Sequence, residues 1–161
     1  MQHIEHPFPP VVDENCRILI LGSFPSVKSR EEGFFYGHPQ NRFWRVLSSI
    51  FEEQLPVDIP EKKAFLLRHH IALWDVIASC RITGSSDASV KDAVPVDISR
   101  VTCAAPIKRV ICNGALAGKL YQHYLQPVTG IEATVLPSTS PANATWTLQK
   151  LIPVWKNALS D

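Results

Sequence analysis

RILILG, residues 17–22, is a run of aliphatic side chains closed by a glycine and followed at position 25 by proline. A strand with one wet face alternates apolar and polar positions, whereas a strand buried on both faces in a parallel sheet reads as an unbroken apolar run. The run is short for a helix, and Gly22 and Pro25 stop it in a tight loop. Residues 17–22 are therefore read as a central strand of a parallel sheet.

Working outward, two more β-branched runs end at Gly or Pro: KRVICNG at 108–114 and IEATVLPS at 131–138. HIALWD, 70–75, is a shorter fourth candidate. Between them lie helical patterns: NRFWRVLSSIFEE from 41, PEKKAFLLRHH from 60, ALAGKLYQHYLQ from 115, and PANATWTLQKLIPVWKNAL from 141, which Pro153 is expected to kink or split. Alternating strand and helix predict a three-layer α/β/α fold around a mostly parallel four-stranded sheet with right-handed crossovers. With 161 residues, the chain is expected to form a single domain over 1–161, residues 1–15 being an N-terminal arm leading into it.

Composition narrows the function. Apolar residues make up 45% and the formal charge is +1. No apolar run approaches the roughly 20 residues of a membrane span, so no membrane partner is expected. The N-terminal MQHIEHPFPP lacks the basic and apolar regions of a signal peptide, which predicts an intracellular, cytoplasmic protein. Cys16, Cys80, Cys103 and Cys112 stand apart without a C-x-x-C pair and are read as buried free thiols. The adjacent His69 and His70 point to different sides of a helix, so neither a structural metal nor a cofactor is expected. Near-neutral charge restricts any nucleic-acid contact to a small patch drawn from Lys28, Arg30, Arg42, Arg45, Lys108 and Arg109, which also read as an ordinary solvated face.

On such sheets ligands bind beyond the carboxyl ends of the strands. The loops there, 22–37, 74–88, 113–114 and 137–143, are rich in Ser, Asn and aromatic residues and poor in acid, base and nucleophile pairings. GSFPS is not the G-x-S-x-G of a serine hydrolase, and LGSFPSVKS matches neither the dinucleotide nor the P-loop pattern. Hydroxyls and backbone N–H groups suit phosphate oxygens, rings suit nucleobase stacking, and an amide at a strand end, Asn113, can read a base edge that shows a carbonyl beside an N–H. Plainer readings stand beside these. Asn113 fits a turn, the serines of LPSTSPANA fit helix capping ahead of Pro141, and His38 fits a loop histidine bonded to backbone. In FFYGHPQNRFW, 34–44, Phe34, Phe35 and Tyr36 fit either a pocket wall or the core, and Phe43 and Trp44 fit the core.

ILILGSFPSVKS, YGHPQNRFW, ALWDVIASCRITGSSDASV, RVICNGALAGKLY and LPSTSPANA, in this order, resemble the motifs of the uracil-DNA glycosylase superfamily. They are more similar to its hypoxanthine-acting branch, the DNA-deoxyinosine glycosylases. The mismatch-acting relatives carry a G-I-N-P-G motif whose asparagine positions the attacking water; here Phe24 takes that place, and a phenyl ring cannot orient water. In the hypoxanthine-acting branch the asparagine of N-R-F-W, here Asn41, takes the essential role. Leu136 stands where many uracil-acting relatives have a histidine, which points away from uracil. The resemblance implies a monofunctional DNA glycosylase of base excision repair acting on DNA with a damaged base, most simply as a monomer.

In that reading Asn41 is the catalytic residue, and Phe24, Phe35, Tyr36 and Asn113 bind the flipped base. Ser23, Ser26, Lys28, Arg42, Ser138, Thr139, Ser140 and Asn143 hold the DNA backbone or wedge into the stack. An amide does not titrate in the accessible range, so Asn41 acts by position, holding a water or touching base or sugar. Competing expectations are a uracil or G/T-mismatch glycosylase and an inactive DNA-binding module of the same fold.

Overall fold

The computed structural model describes residues 1–160. Four parallel strands, β2 (Ile18–Gly22), β3 (Ile71–Asp75), β6 (Arg109–Asn113) and β7 (Ala133–Leu136), form the expected central sheet in the order β3-β2-β6-β7. Every residue of β2 and β3 is buried, as their unbroken apolar runs require. Because β2 leads to β3 in one direction and β6 to β7 in the other, right-handed crossovers place their helices on opposite faces. The strand order reverses between β2 and β6, so Gly22 and Asn113 end at the crevice where ligands bind.

The helices are α1 (Val27–Glu32), α2 (Phe43–Phe51), α3 (Ile59–Arg68), α4 (Ser99–Thr102), α5 (Ala115–Leu120), α6 (Gln126–Thr129) and α7 (Leu148–Leu159). A π-helical turn, Tyr121–Leu125, joins α5 to α6. Phe43, Trp44, Val46 and Leu47 bury one face of α2, which packs against α7.

Three expectations need correction. Residues 1–15 are more than an arm: β1 (Gln2–Glu5) pairs antiparallel with β4 (Ile77–Ile82), which pairs with β5 (Lys91–Pro95) in a second sheet. Val11 further bridges Leu73 on the edge of the central sheet. The last helix begins at Leu148 instead of Pro141, capped by the Thr147 side chain, and Pro153 does not split it. Leu151, Trp155 and Leu159 are buried on either side of the proline, and their packing keeps the helix continuous through the lost bond. Cys103 is exposed, whereas the other three cysteines are buried.

Trp155 links these layers: it is fully buried, meets the Phe43 ring edge-on at 6.1 Å, and donates its indole N–H to the Pro137 carbonyl at 3.1 Å. Trp155→Ala should cost about 3–5 kcal/mol, read as a lowered midpoint in chemical denaturation.

Candidate active site

A cavity of about 510 Å³ opens at the carboxyl ends of β2, β3 and β6. Its walls come from the loops flagged in the sequence, Ser23 to Ser26, Phe35 and Tyr36, Ser85 to Ala88, Asn113, and Ser138 to Ala142, with His38 and Asn41 just beyond the first of them. The backbone tightens at Gly22, where a Cβ would stand 2.5 Å from Asp75 Oδ1 and 2.8 Å from Tyr36 Oη. Only a hydrogen fits there.

The far wall is organised by Thr139, which is fully buried. Its backbone N–H donates to Asn113 Oδ1 at 3.0 Å, and its hydroxyl accepts from Asn113 Nδ2 at 3.0 Å. That hydroxyl donates in turn to Asn41 Oδ1 at 2.9 Å. Asn41 Oδ1 also accepts the Phe43 N–H at the start of α2, at 2.9 Å. Both lone pairs of this oxygen are thus engaged, and the amide's orientation follows, since two donors require the oxygen at that end. The Nδ2 end remains for the substrate. Asn113 keeps one N–H and one lone pair after its bonds to Thr139.

Thr139, expected at the DNA, joins the two amides through its hydroxyl. Arg42, expected there as well, also turns onto the protein. Its guanidinium donates to the carbonyls of Thr139 (3.2 Å), Ser140 (2.8 Å), Asn143 (3.2 Å) and Trp146. Desolvation, with Arg45 nearby, lowers its pKa. This clamp holds residues 139–146 out of the helix expected from Pro141, because their carbonyls serve the arginine.

The remaining candidates divide. Tyr36 stacks on Phe43 with centroids 4.2 Å apart and sits at φ 54°, a conformation costing about 1–3 kcal/mol for such a residue. Its hydroxyl is buried and makes no well-formed hydrogen bond; burial, then the Asp75 carboxylate, pushes its pKa far up, against the lowering effect of the nearby Asn113 amide. Phe24 lines the cavity with Arg30 over its ring at 5.8 Å. Phe35 also lines it but is 1% exposed and edge-on to Phe8 and Phe34, so it is core more than stacking platform. Ser26 caps α1 by accepting from Ser29 N, and Ser23 donates to Asp87 at 3.3 Å. Ser138 and Ser140 accept from the Ser140 and Ala142 N–H groups, making turns of the loop. Asn143 donates to the Ser138 carbonyl and faces a neighbouring groove instead of the main cavity. Lys28 lies outside the cavity and pairs with Glu32 at 3.7 Å.

Of the other basic candidates, Arg30 and Arg45 donate to backbone carbonyls. Lys108 and Arg109 lie at the amino end of β6, opposite the cavity. His38 Nδ1 accepts from Gln40 N, as a loop histidine would. Burial pushes the Cys112 thiol up to about 12, so it offers no nucleophile.

Sequence reasoning missed Asp75, Asp87 and His6. Asp75 ends a predicted strand and its loop was flagged, so its position was a signal. His6 gave none, because β1 is too short and polar to read as a strand. Asp87 is exposed, yet partial desolvation at the cavity edge raises its pKa against the lowering Ser23 bond, with Asp75 adding to the rise. No group of three or more His, Cys, Asp or Glu side chains able to hold a metal is present among the described residues.

A base-sized cavity at the switch point of a parallel sheet, walled by rings and fixed amides, defines a nucleobase-handling α/β protein. The model of the uracil DNA glycosylase superfamily matches residues 9–159, and the chain belongs to that superfamily. It is 42% identical over 142 residues to a hypoxanthine DNA glycosylase from Methanosarcina acetivorans, covering 87% of this chain and 89% of the relative. It is 41% identical over 138 residues to one from Methanosarcina barkeri, covering 84% and 86%. A solution NMR structure from Methanosarcina acetivorans, assigned as a uracil DNA glycosylase, superposes with a TM-score of 0.80 at 33% identity over 99% of this chain and all of that one.

Thr139→Val removes the hydroxyl between the two asparagines at almost constant volume. It should cost about 1–3 kcal/mol of stability by unpairing buried polar groups, and slow single-turnover base release up to about a hundredfold by loosening the amides. Thr139→Ser should restore most of the rate. Thermal denaturation and quench assays on the two variants check this.

Proposed function

We propose that this protein is a monofunctional glycosylase that removes hypoxanthine from deoxyinosine-containing DNA. The observation that carries the reading is the pair of amides locked by Thr139 opposite Phe24, in a cavity of about 510 Å³. Hypoxanthine presents O6 beside N1–H. The free N–H and lone pair of Asn113 match that edge, and Tyr36 supplies a ring to its face. The names of the two Methanosarcina relatives support the same base.

Hydrolysis passes through an oxocarbenium-like sugar while negative charge grows on the base. Asn41 presents N–H groups to the cavity because its oxygen is engaged, so it stabilises the departing base as a donor. The sequence left open whether it holds a water or touches the substrate, and the engaged oxygen favours the latter. Loss of such a donor costs roughly a hundred- to thousandfold in rate. Extruding the base costs a few kcal/mol, less for a mispaired one. With Arg42 committed to carbonyls, phosphate binding falls to loop hydroxyls and backbone N–H groups, joined by Lys28, whose exposed pair with Glu32 exchanges readily.

A uracil glycosylase is the second reading. Uracil shows the same acceptor–donor pair, O4 beside N3–H, and the NMR relative carries that assignment. Duplexes containing hypoxanthine, uracil, xanthine or a G·T mismatch separate the two. Hypoxanthine should be released fastest. Asn41→Asp keeps the oxygen that accepts from Phe43 and Thr139 but lacks the N–H donors, so it should fold and lose at least about a hundredfold in single-turnover rate. Unchanged turnover by Asn41→Asp removes Asn41 from the chemistry, and faster release of uracil favours the second reading.

A further inference from the structure

Asp75 is 3% exposed yet lines the cavity, with one carboxylate oxygen facing the Gly22 backbone beside the Tyr36 hydroxyl. Its other oxygen, Oδ2, lies 2.7 Å from His6 Nε2, and the His6 side chain is 6% exposed. His6 follows β1, and its backbone N–H donates to the Ala78 carbonyl at 2.7 Å. The imidazole is boxed by Phe8, Phe24 and Phe35, with ring centroids 4.7, 5.9 and 6.0 Å away. Nδ1 accepts from the Phe8 N–H at 3.4 Å, so Nε2 carries the proton and donates it to Asp75.

The hydrolytic reaction needs an acceptor for a water proton, and the cavity has few. Asn41 Oδ1 is bonded twice, Phe24 has no polar atom, and the Thr139 hydroxyl donates to Asn41. Asp87 sits at the rim and accepts from Ser23. His38, also on the wall, accepts from Gln40 N through Nδ1, which leaves the proton on Nε2; Asp75 Oδ1 is the buried carboxylate oxygen left over, beside the Tyr36 hydroxyl.

Resting on the glycosylase reading, we propose that Asp75 is the catalytic acceptor for the attacking water's proton and that His6, from the N-terminal strand, is its positioning residue. The water oxygen bonds to C1′ as the C1′–N bond breaks and its electron pair leaves on the base. One water proton passes to Asp75 Oδ1. The base, held as an anion by the Asn41 N–H groups, takes a proton from solvent, and Asp75 returns its own to solvent, so one water is consumed. The arm thereby becomes part of the site.

The test uses the full chain and a hypoxanthine duplex under single-turnover conditions, with duplex affinity measured separately. Asp75→Asn keeps shape and the bond from His6, and should lower the rate by at least about a hundredfold, in the range of general-base catalysis, at unchanged affinity. His6→Phe keeps the aromatic packing without the N–H and should lose about tenfold or more, while His6→Gln, which retains a donor, should recover most of it. A rate for Asp75→Asn within threefold of wild type overturns the proposal while leaving the glycosylase reading intact. A loss of affinity parallel to the loss of rate overturns it by assigning Asp75 to binding, and a wild type that releases no base overturns both.

Discussion

One buried hydroxyl, that of Thr139, ties three distant parts of the chain into a single wall. It accepts from Asn113 at the end of β6 and donates to Asn41 ahead of α2, while its own backbone belongs to the loop after β7. A flexible amide left to itself samples rotamers and both flips, and holding one costs entropy each time a substrate binds. Here that ordering is completed on folding. Arg42 extends the same constraint, since its bonds to the carbonyls of Thr139, Ser140 and Asn143 fix the loop that carries the hydroxyl.

The consequence for chemistry is a separation of roles. Donors stand on the Asn41 and Asn113 side, where the proposed reaction places the leaving base. The carboxylate of Asp75 stands at the end of β3, across the Gly22 backbone. Such an arrangement suits a reaction that develops charge of both signs, because each pole meets a fixed partner without reorganisation at the moment of bond breaking.

The parallel sheet was legible because ILILG and IALWD are buried on both faces and leave no polar period to misread. The cavity was legible for a related reason: strand ends can be located once strands are, and Asn41, Tyr36 and Asn113 all line it. Direction of bonding was not legible. Nothing in N-R-F-W shows that Arg42 turns onto backbone carbonyls, and a serine-rich loop reads alike whether it binds phosphate or holds its own turns. The second sheet was hidden because QHIE has three exposed residues among its four, and its pairing with β4 spans most of eighty residues. With that strand went His6.

The most direct measurement is a crystal structure of the protein with a duplex carrying a 2′-fluorinated, hydrolysis-resistant deoxyinosine. The account predicts the hypoxanthine extruded into the cavity, its O6 and N1 edge on Asn113, Asn41 Nδ2 within hydrogen-bonding distance of the base, and Asp75 Oδ1 on the side of C1′ away from it. A base bound elsewhere, or inserted with Asn41 and Asn113 both out of reach, would contradict it.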